Sequence, residues 1–185
     1  MTALIGLFAF AFSGGLGAGL GPEGQGPAVT VVERVDLERY VGLWYEIAKI
    51  PNRFQKKCAA VTTAFYSFRD DGKINVVNRC LDSEGKIVRA SGIAKVEDAE
   101  TGAKLKVSFV RVAGLSLFWG DYWIIGLAED YRYAVVGTPK RDYGWILARQ
   151  PELGAEDLAE IHDILRRQGY DPDSFVMSPQ DTVGP

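Results

Sequence analysis

Cys58, Cys80, the adjacent Lys56 and Lys57, and the single His162 are the side chains here with the reactivity to do chemistry. A cysteine attacks as its thiolate, and neighbouring ammonium groups lower a thiol's pKa. Cys58, following Lys56-Lys57, is therefore the candidate nucleophile. It would still need a base. His162 lies far along the chain in a segment of helical spacing, and one histidine supplies neither a His-based metal site nor a catalytic dyad. The two cysteines have a second reading. In an exported protein they form a disulfide; in a reducing compartment they are free thiols. No cluster calls for a metal or a cofactor. Most of the remaining distinctive residues are aromatic or aliphatic, which suits binding more than catalysis.

The elements that position these residues follow from composition and pattern. The chain has 185 residues, 47% of them hydrophobic, and a formal net charge of -3. That suits one globular domain with a sizeable core. The slight acidity argues against a nucleic-acid partner. Residues 3–12 form an apolar run too short to span a bilayer as a helix, and 13–27 are mostly Gly, Ala and Pro. Residues 1–27 therefore read as a signal peptide with a Gly-rich leader, although no Lys or Arg precedes the run. This leaves 28–185 as the folded domain. It also implies export, with no cysteine near the run to accept a lipid.

From Trp44 to Arg149 the pattern is strand after strand: 44–49, 59–68, 73–80, 86–96, 104–110, 121–127, 131–137 and 144–149. Asp70-Asp71-Gly72 and Asp82-Ser83-Glu84-Gly85 are hairpin turns. Eight antiparallel strands joined by short turns argue for an up-and-down sheet that closes and so loses its edges. A barrel of that size holds one small ligand; a two-sheet sandwich is the competing architecture. Leu158, Ile161 and Leu165 recur at helical spacing over 154–168, with Gly169 at the position of a left-handed cap. That helix packs outside the wall, and 174–177 reads as a ninth short strand.

Three local patterns, in this order and with these strands between them, resemble the lipocalin family in its bacterial and apolipoprotein D-like branch. They are Gly42-Leu43-Trp44-Tyr45-Glu46-Ile47-Ala48, then Glu129-Asp130-Tyr131-Arg132-Tyr133, then Trp145-Ile146-Leu147-Ala148-Arg149 followed by Gln150-Pro151. The resemblance covers about 35–177. It implies an all-β fold, an eight-stranded barrel with one C-terminal helix outside. It also implies that Gly42, Trp44, Asp130, Tyr131 and Arg149 gather at the closed end, with Arg149 over Trp44 as a structural plug. The connections 51–57, 81–85, 111–120 and 138–143 then ring the mouth.

The resemblance also anchors which residues face inward, since side chains alternate along a strand. It implies an inward set of Tyr66, Asn78, Phe109, Tyr122, Trp145 and Leu147, an aromatic and aliphatic lining with Asn78 and two tyrosine hydroxyls as polar handles. Such a lining suits an apolar ligand with one polar group, and equally a barrel whose side chains simply fill it. Cys58 and Cys80 share the inward parity at the mouth ends of neighbouring strands. The turn at 70–72 does not set them opposite each other, so a disulfide needs a bulge in the second strand or an irregular start to it.

The expected function is carriage of a small hydrophobic ligand, a fatty acid, lysophospholipid or similar lipid, in transport, storage or membrane maintenance, with no catalysis. The expected location is the periplasm, the outer-membrane surface or the exterior. Leu115, Leu117, Phe118 and Trp119 form an apolar cluster in the connection 111–120, which suits peripheral contact with a membrane or a partner. Two alternatives stay open: an enzyme using a free Cys58 thiol, and a filled barrel with a structural or interaction role.

Overall fold

The computed structural model describes residues 27–112 and 115–181. The signal and leader read from the sequence lie outside them, apart from Pro27. A short helix α1 (Leu37–Tyr40) opens the barrel, capped by the Asp36 carboxylate, which accepts from the backbone N–H groups of Glu38 and Arg39. Then come β1 (Gly42–Lys49), β2 (Ala60–Phe68), β3 (Ile74–Leu81), β4 (Ile87–Val96) and β5 (Lys104–Ser108). A small hairpin, β6 (Val110–Val112) and β7 (Leu115–Leu117), leads to β8 (Gly120–Leu127), β9 (Tyr133–Gly137) and β10 (Gly144–Ala148). Helix α2 (Ala155–Arg167) and a short β11 (Val176–Met177) finish the domain.

The eight long strands pair in sequence order, all antiparallel, and β10 pairs back onto β1, so the sheet is a closed barrel rather than a sandwich. Closure leaves these strands no free edge. The connection expected as a loop over 111–120 is the β6–β7 hairpin, paired from Val110–Leu117 to Val112–Leu115. The strand expected to reach residue 110 breaks at Phe109. There the Ser108 hydroxyl donates to the backbone oxygens of Val110 and Leu117, so the chain turns outward into the hairpin.

Two hydrophobic cores share the wall. One fills the lower barrel around Trp44, Tyr122, Ile124 and Leu147. The other lies between the outer face of the wall and α2, where Ile161 and Leu165 are wholly buried against Ile125, Val135 and Ile146. His162 is on this outer helix. The C-terminal segment then does something the alternation of residues did not foretell. β1 pairs with β2 only from Gly42 to Tyr45. Toward the mouth the two strands part, and 176–180 fill the gap. Val176 and Met177 pair with Lys49 and Ala48. Ser178 N–H donates to Ile47 O at 2.8 Å, and Val61 N–H donates to Pro179 O at 2.7 Å. Gln180 Nε2 bridges Glu46 O and Thr62 O.

Candidate functional site

The closed end is a plug. Trp44 is 0% exposed, its indole N–H donates to Tyr40 O at 2.7 Å, and the Arg149 guanidinium lies 3.8 Å from its ring centroid. Arg149 also donates to four backbone oxygens, those of Leu43, Arg39, Tyr40 and Val41. Three of these belong to the C-terminal turn of α1, where helix carbonyls lack partners and a cation is favourable. Gly42 has φ +102°, a conformation that disfavours any side chain. Tyr131 accepts at its hydroxyl from Asp36 N–H and carries Arg39 over its ring. Asp130 is exposed and pairs with Arg132.

Beside the plug, three buried tyrosines join their hydroxyls inside the barrel. Tyr122 Oη is 2.7 Å from Tyr40 Oη and 3.0 Å from Tyr66 Oη. Burial pushes the Tyr66 phenol up to about 12 and holds Tyr40 and Tyr122 well above their ordinary value. All three stay neutral, forming a dry floor. Their hydroxyls are spent mainly on one another. Three protons serve two links, so the ladder keeps a single proton to offer.

Toward the mouth the inward residues become accessible. Ala64, Asn78 and Ala90 lie in one row across β2, β3 and β4. Ala90 is exposed and Asn78 half-buried, whereas Val76 and Ala94, nearer the floor, are buried. Asn78 Oδ1 is itself buried with no hydrogen-bond partner in the protein. Phe109 is 41% exposed and its ring lies against Gly92, where a Cβ would come within 2.7 Å of it. The inner wall is therefore buried around the floor and more accessible toward the mouth.

Cys58 and Cys80 form a disulfide with their Cα atoms 5.4 Å apart. The bulge it needs lies between Ala60 and Thr63, with Val61 at φ +52°. Among the described residues no cysteine is free, so the thiol-nucleophile alternative has no thiol to use.

A closed barrel of eight strands with a helix on its outer wall has clear counterparts. The family model described as a Lipocalin-like domain matches residues 35–180. The chain belongs to the lipocalin family. The outer membrane lipoprotein Blc of Escherichia coli is 41% identical over 153 residues, covering 82% of this chain and 83% of that protein. Mouse apolipoprotein D is 34% identical over 165 residues, covering 85% and 83%. Among solved structures, insecticyanin from Manduca sexta superposes with a TM-score of 0.67 at 20% identity, covering 84% of this chain and 86% of that one.

Within this lipocalin the residues expected to line the interior divide into two sets. Tyr66, Tyr122 and Leu147 are buried in the floor. Asn78, Phe109 and Trp145 lie higher, on the accessible part of the wall. The Tyr66 and Tyr122 hydroxyls bond each other, so the polar capacity they hold beyond that is the one proton left to the ladder. Of the apolar hairpin residues, Leu115 and Phe118 are 68% and 81% exposed and Leu117 is 38% exposed. Trp119 is half-buried, with Lys95 Nζ 5.0 Å from its ring centroid, so it is not a free tip.

Sequence reasoning missed a polar network on the inner wall. Glu46 is opposite Leu147 and Lys49 is opposite Trp145, so both face inward; a bulge at Ile47 separates them. Glu46 Oε1 accepts from Lys49 Nζ and Ser178 Oγ, both at 2.6 Å, and Oε2 accepts from Gln55 Nε2 at 2.5 Å. Gln55, in the 3-10 turn Arg53–Gln55, also accepts from Trp145 Nε1 at 2.9 Å.

Proposed function

We propose that this lipocalin binds a single-chain lipid, a fatty acid, lysophospholipid or similar amphiphile, in the upper half of its barrel and exchanges it with a membrane. The observation that carries this reading is Asn78. Its carboxamide oxygen is withdrawn from water without a protein partner, on an otherwise apolar stretch of inner wall. A buried polar atom left unpaired costs roughly 1–3 kcal/mol, and a ligand hydroxyl or amide on this wall would recover it. Phe109 and Trp145 supply apolar lining for the chain. Each buried methylene contributes about 0.8 kcal/mol. Ten of them, about 8 kcal/mol before ordering costs, correspond to affinity near the micromolar range. The relatives named outer membrane lipoprotein and apolipoprotein accord with an exported lipid carrier.

The test uses the purified domain and a fluorescent fatty acid. The expected result is saturable binding, displaced by unlabelled oleic acid at micromolar concentration. No binding, together with no lipid-mass adduct by native mass spectrometry, would overturn the reading in favour of a filled barrel.

The mouth supports the membrane half of the proposal. Phe54, Ile87, Leu115 and Phe118 lie in or at the edges of the connections at that end and are all exposed, with the exposed basic Arg53, Lys56 and Lys57 in the same region. Apolar tips among basic residues suit insertion into an anionic lipid surface. Burying a side chain of this size contributes about 1.5–3 kcal/mol. The double variant Leu115→Ser, Phe118→Ser should therefore lose at least about ten-fold in binding to phosphatidylglycerol-containing vesicles. Its equilibrium affinity for free oleate should stay unchanged. Unaltered vesicle binding would remove the membrane contact.

A further inference from the structure

The geometry points to a head-group site inside the mouth, built from Lys49 and Gln55 on the Glu46 carboxylate, that takes the oxyanion of the bound lipid. This deepens the lipid-binding reading and rests on it. The argument is a count of hydrogen-bond capacity. An ammonium has three N–H donors and a primary carboxamide two. Lys49 spends one on Glu46 Oε1 and one on Ser178 Oγ at 3.3 Å. Gln55 spends one on Glu46 Oε2, while its oxygen already accepts from both Asn52 Nδ2 and Trp145 Nε1. The capacity left on these two side chains is therefore one N–H each and no acceptor. Lys49 and Gln55 sit on the two oxygens of one carboxylate, which holds both side chains at the same place.

Exposure gives the direction. The Glu46 side chain is 5% exposed and that of Lys49 16%, so the cation is the more accessible of the pair. Ser178 comes from the tail that fills the gap between β1 and β2, and with Gln55 it locks the carboxylate in place. Glu46 thus acts as a positioning residue, fixing two donors that an incoming carboxylate or phosphate can meet. The exposed Lys56 and Lys57 lie in the same connection as Gln55 and add positive potential on that side of the mouth. Asn78, neutral and on the β3 wall, suits an uncharged group of the same ligand. Two polar stations of different charge on the inner face of one barrel describe an amphiphile with an ionised head.

The experiment compares oleic acid, oleyl alcohol and a monoacylglycerol phosphate on the wild-type protein and on Lys49→Met, which keeps the stem and removes the donors. Wild type is expected to bind all three. Lys49→Met is expected to lose about ten-fold or more for the acid, the phosphate or both, with the alcohol within two-fold. Which anion suffers more tells whether the head group is a carboxylate or a phosphate. Equal losses for acid, phosphate and alcohol, or no loss for any, would overturn the site. Failure of wild type to bind any of the three would instead defeat the lipid-binding reading itself. Gln55→Met, on the surface turn, provides the same comparison should Lys49→Met not fold.

Discussion

Trp44→Ala lowers the folding free energy by about 3–5 kcal/mol, the range for removing a wholly buried aromatic residue, and leaves the order of ligand preference unchanged. The side chain has no exposed surface and packs against Tyr40, whose hydroxyl begins the tyrosine ladder. Its loss empties the floor and strips Arg149 of the ring it covers, an interaction of about 0.5–2 kcal/mol. For a domain of this size each kcal/mol shifts Tm by roughly 2–4 °C, so a fall of about 6–20 °C is expected by calorimetry. Arg149→Met should cost less on the Trp44→Ala background than alone, because the two removals share one contact. It still leaves the backbone oxygens of Arg39, Tyr40, Val41 and Leu43 without this donor. Competition between oleic acid and oleyl alcohol, measured on the folded variant below its Tm, gives the second readout. A Trp44→Ala protein of native stability, or one with reversed preference, would place this end in the binding site.

The contrast between Trp44 and Lys49 shows where the sequence is legible. Trp44, Gly42, Tyr131 and Arg149 sit in continuous local patterns whose positions along the strands set their height in the barrel. Their gathering at one end follows from strand order. Lys49 is another matter. Strict alternation from Trp44 turns Glu46 and Ala48 inward and Lys49 outward. The bulge at Ile47 inserts one residue, so Ile47 and Ala48 both pack against the helix side and Lys49 turns in. A single extra residue reverses everything beyond it, and no residue type announces it. Gln55 was hidden for a different reason: it belongs to a turn, where alternation says nothing. Ser178 reaches Glu46 across 132 positions of sequence, by way of a tail that replaces part of a strand pairing. The bulge at Val61 is the instructive exception. Two inward cysteines that the turn at 70–72 leaves out of step require an irregularity if they are to bond, and the bulge is found between Ala60 and Thr63.

Breaking that disulfide is expected to cost about 3 kcal/mol, by the loop-closure estimate for a cross-link of this span. The bonded cysteines are 22 residues apart. The bond does local work as well. Below it β2 pairs regularly with β3, but above Thr63 the ladder is shifted by the bulge and β1 has already parted from β2. The start of β2 is then held by Ala59 N–H to Leu81 O, by Val61 N–H to Pro179 O, and by the disulfide. Cys58→Ser, Cys80→Ser should therefore loosen the connection 50–59 and the tail 176–180 together, since both lean on the same strand end. Gln55 and Ser178 belong to those two segments. The expected outcome is a melting temperature lowered by roughly 6–12 °C, with faster amide exchange confined to the mouth end of β2, the Arg53–Gln55 turn and β11. The anion preference assigned to Lys49 and Gln55 should weaken in the same variant, because the carboxylate that positions them loses two of its three donors' anchorage. Uniform exchange throughout the barrel would show that the bond acts only on the unfolded chain. Protection at the mouth that survives reduction would show that the backbone pairs alone hold the site in shape.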